Sequence, residues 1–180
     1  MGKKLKKNRS YARPVLIGLM GAGKSRIGKR LACFLQIPLL DLDEMIVAEA
    51  GCSIPEIFEK QGEQAFRKLE SEMLKRVIAE KAVIATGGGI VEAPANRKLL
   101  KEHPPVIWLK ASPEYLARRI DGDSNRPLIA QGDTLKKLQV LAEKRYPLYE
   151  ECADLVVERE FMKKKEAMRM ILRFLAKWEG

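Results

Sequence analysis

The chain has 180 residues, 46% of them hydrophobic, and a formal charge of +10. A length in the range of one compact domain, with that apolar content, excludes a disordered chain. Three scattered cysteines, a single histidine and no CxxC pair exclude a disulfide framework and a structural zinc site.

The charge is unevenly placed. Lys3, Lys4, Lys6, Lys7, Arg9 and Arg13 fall in a stretch without acids, leaving a net +4 on the remainder. Residues 1–13 therefore read as a basic, flexible tail and residues 14–180 as a single domain, and a solvated tail needs no nucleic-acid or membrane partner. The odd cysteine count suits a reducing compartment. The apolar stretch after the tail, about six residues, is too short for a bilayer span or a signal segment, so the expected location is cytoplasmic.

In chain order, short apolar runs at Pro14–Ile17, Pro38–Leu40, Ala82–Ala85, Val106–Leu109 and Leu155–Val157 predict strands. Between and after them, Lys24–Leu35, Glu63–Glu80, Pro113–Ile120, Thr134–Lys144 and Lys163–Trp178 predict helices. Near-continuous apolar strands alternating with helices indicate an α/β fold with a parallel sheet covered on both faces. Residues 121–133, polar and rich in turn formers, break the alternation. They read as an active-site lid carrying Arg126 or as an ordinary surface loop.

The first strand runs into Gly18-Leu19-Met20-Gly21-Ala22-Gly23-Lys24-Ser25, a full GxxxxGK[ST] match between strand and helix. Glycines let backbone N–H groups converge on phosphate oxygens, and the helix N-terminus adds its positive end. Lys24 reaches the outer phosphates and the Ser25 hydroxyl ligates Mg²⁺. The second strand ends at Asp41-Leu42-Asp43. In an extended backbone both carboxylates point the same way, one toward the magnesium shell and one toward an acceptor hydroxyl, unless either merely caps a helix beginning near Glu44. Gly87-Gly88-Gly89 follows the third strand, either as a close backbone approach to a ligand or as a sharp turn.

These motifs, with Ile54-Pro55-Glu56-Ile57-Phe58, Gly62-Glu63-Gln64-Ala65-Phe66-Arg67-Lys68-Leu69-Glu70, Asn125-Arg126-Pro127-Leu128 and Arg145-Tyr146-Pro147-Leu148-Tyr149-Glu150, occur in an order that resembles the shikimate kinase family. The resemblance covers residues 14 to 158. It implies a P-loop NTPase fold related to the nucleoside monophosphate kinases, with a five-stranded parallel sheet and a mobile lid. It also implies transfer of the ATP γ-phosphate to the 3-hydroxyl of shikimate, in aromatic amino-acid biosynthesis. At matching positions Asp43, Arg67, Gly87, Gly88, Gly89 and Arg145 would hold shikimate, with Asp43 as general base or orienter. Gly21, Ala22, Gly23, Lys24, Ser25, Arg26, Arg119 and Arg126 would hold ATP, and Ser25 and Asp41 the metal, the latter through water. Lys24, Asp43 and Arg126 would carry catalysis.

The residue chemistry agrees with such an acceptor. A carboxylate favours planar bidentate arginine donors, and hydroxyls favour an acceptor such as Asp43. Taken singly, Arg67 could form a surface ion pair with Glu63 or Glu70, Arg145 could be a solvated helix-end charge, and Arg126 could flank Pro127 in a turn. One departure stands out, Arg26, where the family carries threonine. The competing enzyme is a gluconate or other small-polyol kinase on the same scaffold. The competing non-enzyme is a nucleotide-controlled RNA-binding module, for which no RNA motif beyond the tail appears. A monomer is expected.

Overall fold

The computed structural model describes residues 11–103, 105–120 and 133–178. Arg126 and all of the 121–133 segment except Asp133 lie outside the described residues, as do residues 1–10 of the tail. Of the tail's last residues, Tyr11 meets Phe34 edge-on at 6.1 Å and Arg13 Nη1 donates to the Ala79 carbonyl at 2.9 Å.

Five strands, β1 (Val15–Ile17), β2 (Leu39–Asp41), β3 (Val83–Ala85), β4 (Val106–Lys110) and β5 (Leu155–Glu158), form one sheet in the order β2-β3-β1-β4-β5. Every pairing is parallel. β1 and β3 are buried throughout and β4 nearly so, whereas the edge strand β5 exposes Val156. Continuous apolar runs in the centre, covered by helices on both faces, are what an all-parallel sheet requires. The chain crosses from one side of β1 to the other between β3 and β4. That reversal places a cleft at the carboxyl end of β1, where the glycine loop emerges.

Among the described residues, seven α-helices flank the sheet: α1 (Lys24–Leu35), α2 (Leu42–Ala50), α3 (Ile54–Val77), α4 (Pro94–Glu102), α5 (Pro113–Ile120), α6 (Thr134–Cys152) and α7 (Lys164–Leu175). Periodicity predicted α1 and α5 with the same bounds and α7 to within a few residues. It did not predict α4 or the first turns of α3, and α2 entered only as the helix near Glu44 that Asp41 or Asp43 could cap. Local chemistry explains α2 and α3. Asp41 caps α2, accepting from the Asp43 and Glu44 N–H groups. Ser53 and Glu56 form a reciprocal capping box at the start of α3, with Pro55 in the first turn. Gly62, at φ 82° and ψ 170°, then breaks the helical geometry and kinks α3.

The expected end of the 134 helix at Lys144 is also corrected. α6 runs through Pro147 to Cys152. Proline removes one donor from the helix, but tertiary contacts hold the second half in place. Tyr146 donates its hydroxyl to the Ala111 carbonyl and Tyr149 to the Gly88 carbonyl, and both rings pack on Trp108. Among the described residues, no helix is long and apolar enough to cross a membrane.

Candidate active site

The glycine loop leaves β1 through Gly18 (φ 142°), Gly21 (φ 81°) and Gly23 (φ 94°), backbone conformations that L side chains rarely adopt. Gly23 is the residue before α1, so the loop ends on a helix N-terminus with its N–H groups turned outward. Lys24 Nζ folds back on the loop, donating to the carbonyls of Gly18 at 2.7 Å and Leu19 at 3.1 Å. Met20, Gly21, Gly23, Lys24, Ser25, Arg26, Asp41, Asp43, Thr86 and Arg119 share one solvent-open cavity. Arg119 reaches it from α5, donating from Nε to the Gly21 carbonyl at 2.8 Å and lying over the Tyr115 ring.

The two aspartates arrive by a route that an extended strand would not give. β2 ends at Asp41 and the chain turns into α2 at Leu42, so Asp43 sits in the first helical turn. Asp41 combines both roles weighed for it. One carboxylate oxygen caps α2, while Oδ2 accepts the Ser25 hydroxyl at 2.5 Å. A hydroxyl and a carboxylate, both hard oxygen donors, thus meet at the end of the phosphate loop, a donor set that fits Mg²⁺.

The triple glycine is a point of close approach, not a plain turn. A methyl carbon at Gly87 would stand 2.2 Å from Glu70 Oε1 and 3.0 Å from Asp43 Oδ1. At Gly88 it would meet Arg145 Nη1 at 3.3 Å, and at Gly89 it would overlap Arg67 Nη1 at 2.1 Å. Asp43 from α2, Glu70 and Arg67 from α3, and Arg145 from α6 therefore converge on three consecutive backbone units.

Neither arginine is a surface charge. Arg145 is 1% exposed and donates from Nε to Glu92 Oε1 at 2.7 Å. Arg67 pairs with both candidate glutamates, Glu63 at 3.0 Å and Glu70 at 2.5 Å, yet Glu70 is itself 1% exposed. Burial raises the Glu70 carboxyl to about 7, against the opposing pull of Arg67, and Asp43 nearby pushes it further up. Glu92 is half-buried, and burial alone would raise it. Its hydrogen bonds from Lys144 and Arg145 outweigh that and hold it below the ordinary carboxylate value.

Glu70 and Glu92 are the residues sequence reasoning missed. Glu70 lay within a quoted motif, three residues after Arg67, where spacing suggested only a surface partner. Glu92, in the 3₁₀ turn Ile90–Glu92 after the triple glycine, meets a partner 53 residues away and carried no local signal.

A phosphate loop, an aspartate–serine pair at its end and two guanidinium groups, one buried and one partly buried, beside an acceptor carboxylate define an ATP-dependent phosphotransferase of the P-loop class. The family model described as shikimate kinase matches residues 20–176. A shikimate kinase of Enterococcus faecalis is 45% identical over 163 residues, spanning 89% of this chain and 96% of its own. The solved shikimate kinase from Acinetobacter baumannii, in complex with shikimate, is 36% identical, covers 92% of this chain and 93% of its own, and superposes with a TM-score of 0.88. The chain belongs to the shikimate kinase family. A gluconokinase from Sinorhizobium meliloti, at 18% identity and a TM-score of 0.58, shares the fold alone.

Proposed function

We propose that this protein transfers the γ-phosphoryl group of ATP to the 3-hydroxyl of shikimate, as a cytoplasmic monomer without nucleic-acid or membrane partners. Phosphorylation of shikimate with ATP is the activity of the family to which the chain belongs. The observation that carries the residue assignments is the convergence of Arg67 and Arg145 on Gly88 and Gly89, one residue from the contact of Asp43 with Gly87.

In this reading the two guanidinium groups take the ring carboxylate through paired N–H donors, a geometry that a lysine cannot supply. Glu70 and Glu92 hold those groups at fixed angles before the substrate arrives. Asp43 accepts a hydrogen bond from the reacting hydroxyl and orients its oxygen toward the phosphate loop. Gly21, Ala22, Gly23, Lys24 and Ser25 cradle the nucleotide's phosphates, Lys24 exchanging its carbonyl partners for phosphate oxygens. Arg26 and Arg119 flank the donor, and Arg119 covers the base. Ser25 and Asp41 would hold Mg²⁺, Asp41 through a bound water. The metal, when bound, draws charge from the β- and γ-phosphates. Arg126, on a lid over residues 121–133, closes on the transferring group and excludes water, the competing acceptor.

The test is ADP release from Mg-ATP with shikimate, with gluconate and with no acceptor. Acceleration by shikimate alone is the expected result. Equal acceleration by gluconate, or none by either, would overturn the acceptor.

A further inference from the structure

A groove of about 260 Å³ lies between α2 and α3 and shares no residue with the phosphate-loop cavity. Its floor is apolar, made by Ile46 of α2 and by Leu69 and Met73 of α3. Its rim is charged, with Glu49 near the end of α2 and Glu72 and Arg76 on α3. Arg76 links the two helices, donating to both oxygens of Glu49 at 2.5 and 3.1 Å. The approach of Lys68 to Glu72, at 3.9 Å, is too long for a hydrogen bond. The groove is smaller than the roughly 300–1,000 Å³ of sites that enclose a metabolite or cofactor. It suits the side chains of a peptide segment.

Charge and connectivity identify that segment. Residues 41–80 carry ten acidic side chains against five basic ones, although the whole chain stands at +10. Residues 1–10, Met-Gly-Lys-Lys-Leu-Lys-Lys-Asn-Arg-Ser, carry five basic side chains and no acid, and Leu5 falls between two lysine pairs. The segment joins the fold beside the groove's own helix. Arg13 Nη1 donates to the Ala79 carbonyl at 2.9 Å, three residues past Arg76. Met73 lies six residues before Ala79, about 9 Å along a helix. Leu5 lies eight residues before Arg13, and eight extended residues reach about 27 Å. The chain is long enough to turn back along α3 and bring Leu5 over the groove.

We infer that residues 3–7 dock in this groove of their own chain and strap α2 to α3. Alternate side chains of an extended segment share a face, so Lys3, Leu5 and Lys7 point together. Leu5 enters between Ile46 and Met73. The two lysines lay their methylene stems on the walls and carry their charges to Glu72 and Glu49, which keeps acceptor sites beyond those that Arg76 uses. Lys4 and Lys6 face solvent. Asp43 stands on α2, and Arg67 and Glu70 stand on α3. A strap across both helices therefore ties together two sides of the acceptor pocket. The docking itself does not depend on which alcohol is phosphorylated.

Paramagnetic relaxation in the full-length chain tests it. A nitroxide is placed at the far end of the segment through Gly2→Cys, in a background of Cys33→Ser and Cys52→Ser that keeps the buried Cys152. The methyl signals of Ile46, Leu69 and Met73 should relax at least about threefold faster than that of Val156. The latter is exposed on β5, at the sheet edge opposite β2. Leu5→Ser and Glu72→Lys should each return the groove methyls to the Val156 rate. Uniform relaxation over the surface, or an enhancement that survives either variant, would overturn the docking. A mixed sample, with isotope on one set of chains and nitroxide on another, identifies the source. Enhancement there equal to that within one chain would mean that a second copy supplies the segment, and would overturn the strap. The readout is proximity and not turnover, so its failure would leave the proposed reaction untouched.

Discussion

Arg67 Nη1 and Glu70 Oε2 meet at 2.5 Å, three residues apart on one helix, with the carboxylate almost wholly buried and the guanidinium resting against Gly89. On an exposed helix such a pair is worth a few tenths of a kcal/mol. Here it aims a cation. Arg145 is treated in the same way by Glu92. Truncating a buried, hydrogen-bonded charge that meets a ligand typically costs 2–5 kcal/mol. Arg67→Ala and Arg145→Ala should each lower kcat/KM for shikimate by about 30-fold or more. ATP affinity, measured separately by equilibrium binding, should change less than about twofold, since neither arginine lines the phosphate-loop cavity. Parallel loss of nucleotide binding would refute this division.

The Glu70 carboxyl also makes a pH prediction. Its folded value is raised from 4.5 to about 7. Below 4.5 the group is protonated in both states and contributes no slope. Between 4.5 and 7 the unfolded chain releases the proton while the folded chain keeps it, so rising pH draws stability away through that window. Other carboxylates, Glu92 among them, have lowered values and contribute the opposite slope, so the comparison must be with Glu70→Gln. Denaturant unfolding of both proteins from pH 4.5 to 8 should show the parent losing about 3 kcal/mol relative to the variant, mostly below pH 7. A constant difference across that range would mean that Glu70 is ionised throughout.

Much of this was legible in the sequence for reasons that can be traced to individual residues. Gly18 to Ser25 could be read because a phosphate loop needs its glycines, lysine and serine within eight consecutive positions. The strands could be read because all carry short unbroken apolar runs, and the central β1, β3 and β4 are buried on both faces. Helix α4 escaped and α2 entered only as a helix that an aspartate near Glu44 could cap, while α6 runs past the expected end at Lys144, through Pro147, because tertiary contacts hold its second half. At the site, the residues proposed to meet ligand fall in the ordered motifs, whereas Glu92, which holds Arg145, does not. Glu92 is paired to Arg145 by sheet order and the α6 packing angle, neither of which a local window contains. Arg67 shows the converse. Its helical partners Glu63 and Glu70 were foreseen by spacing, but the burial of Glu70, which turns a surface pair into a positioning device, comes from tertiary packing that a local window does not contain.

The geometry at Gly89 predicts a selective lesion. Gly89 has an ordinary φ of −88°, so alanine meets no backbone strain there. The obstacle is Arg67 Nη1, which a methyl would overlap at 2.1 Å. Because that atom is the far end of a flexible side chain, Gly89→Ala should fold, displacing the guanidinium instead of the backbone. KM for shikimate should rise at least tenfold with unchanged melting temperature and unchanged ATP affinity. A melting temperature lowered by several degrees would show that the backbone, and not Arg67, gives way.

Asp41 joins a structural role to a chemical one, and the two can be separated. Its Oδ1 caps α2 and its Oδ2 accepts the Ser25 hydroxyl. Asparagine caps a helix about as well as aspartate, while alanine loses about 1 kcal/mol at such a position. Asp41→Asn should therefore keep the parent's unfolding free energy to within about 0.5 kcal/mol, and Asp41→Ala should not. The asparagine variant still lacks the negative charge that draws a hard cation to Ser25, so the Mg²⁺ concentration for half-maximal ADP release should rise at least fivefold in both variants. Titrating Mg²⁺ at fixed ATP against denaturant stability in the same two proteins resolves the roles. An unshifted Mg²⁺ requirement in Asp41→Asn would leave Asp41 a capping residue alone and place the metal on Ser25 and the nucleotide.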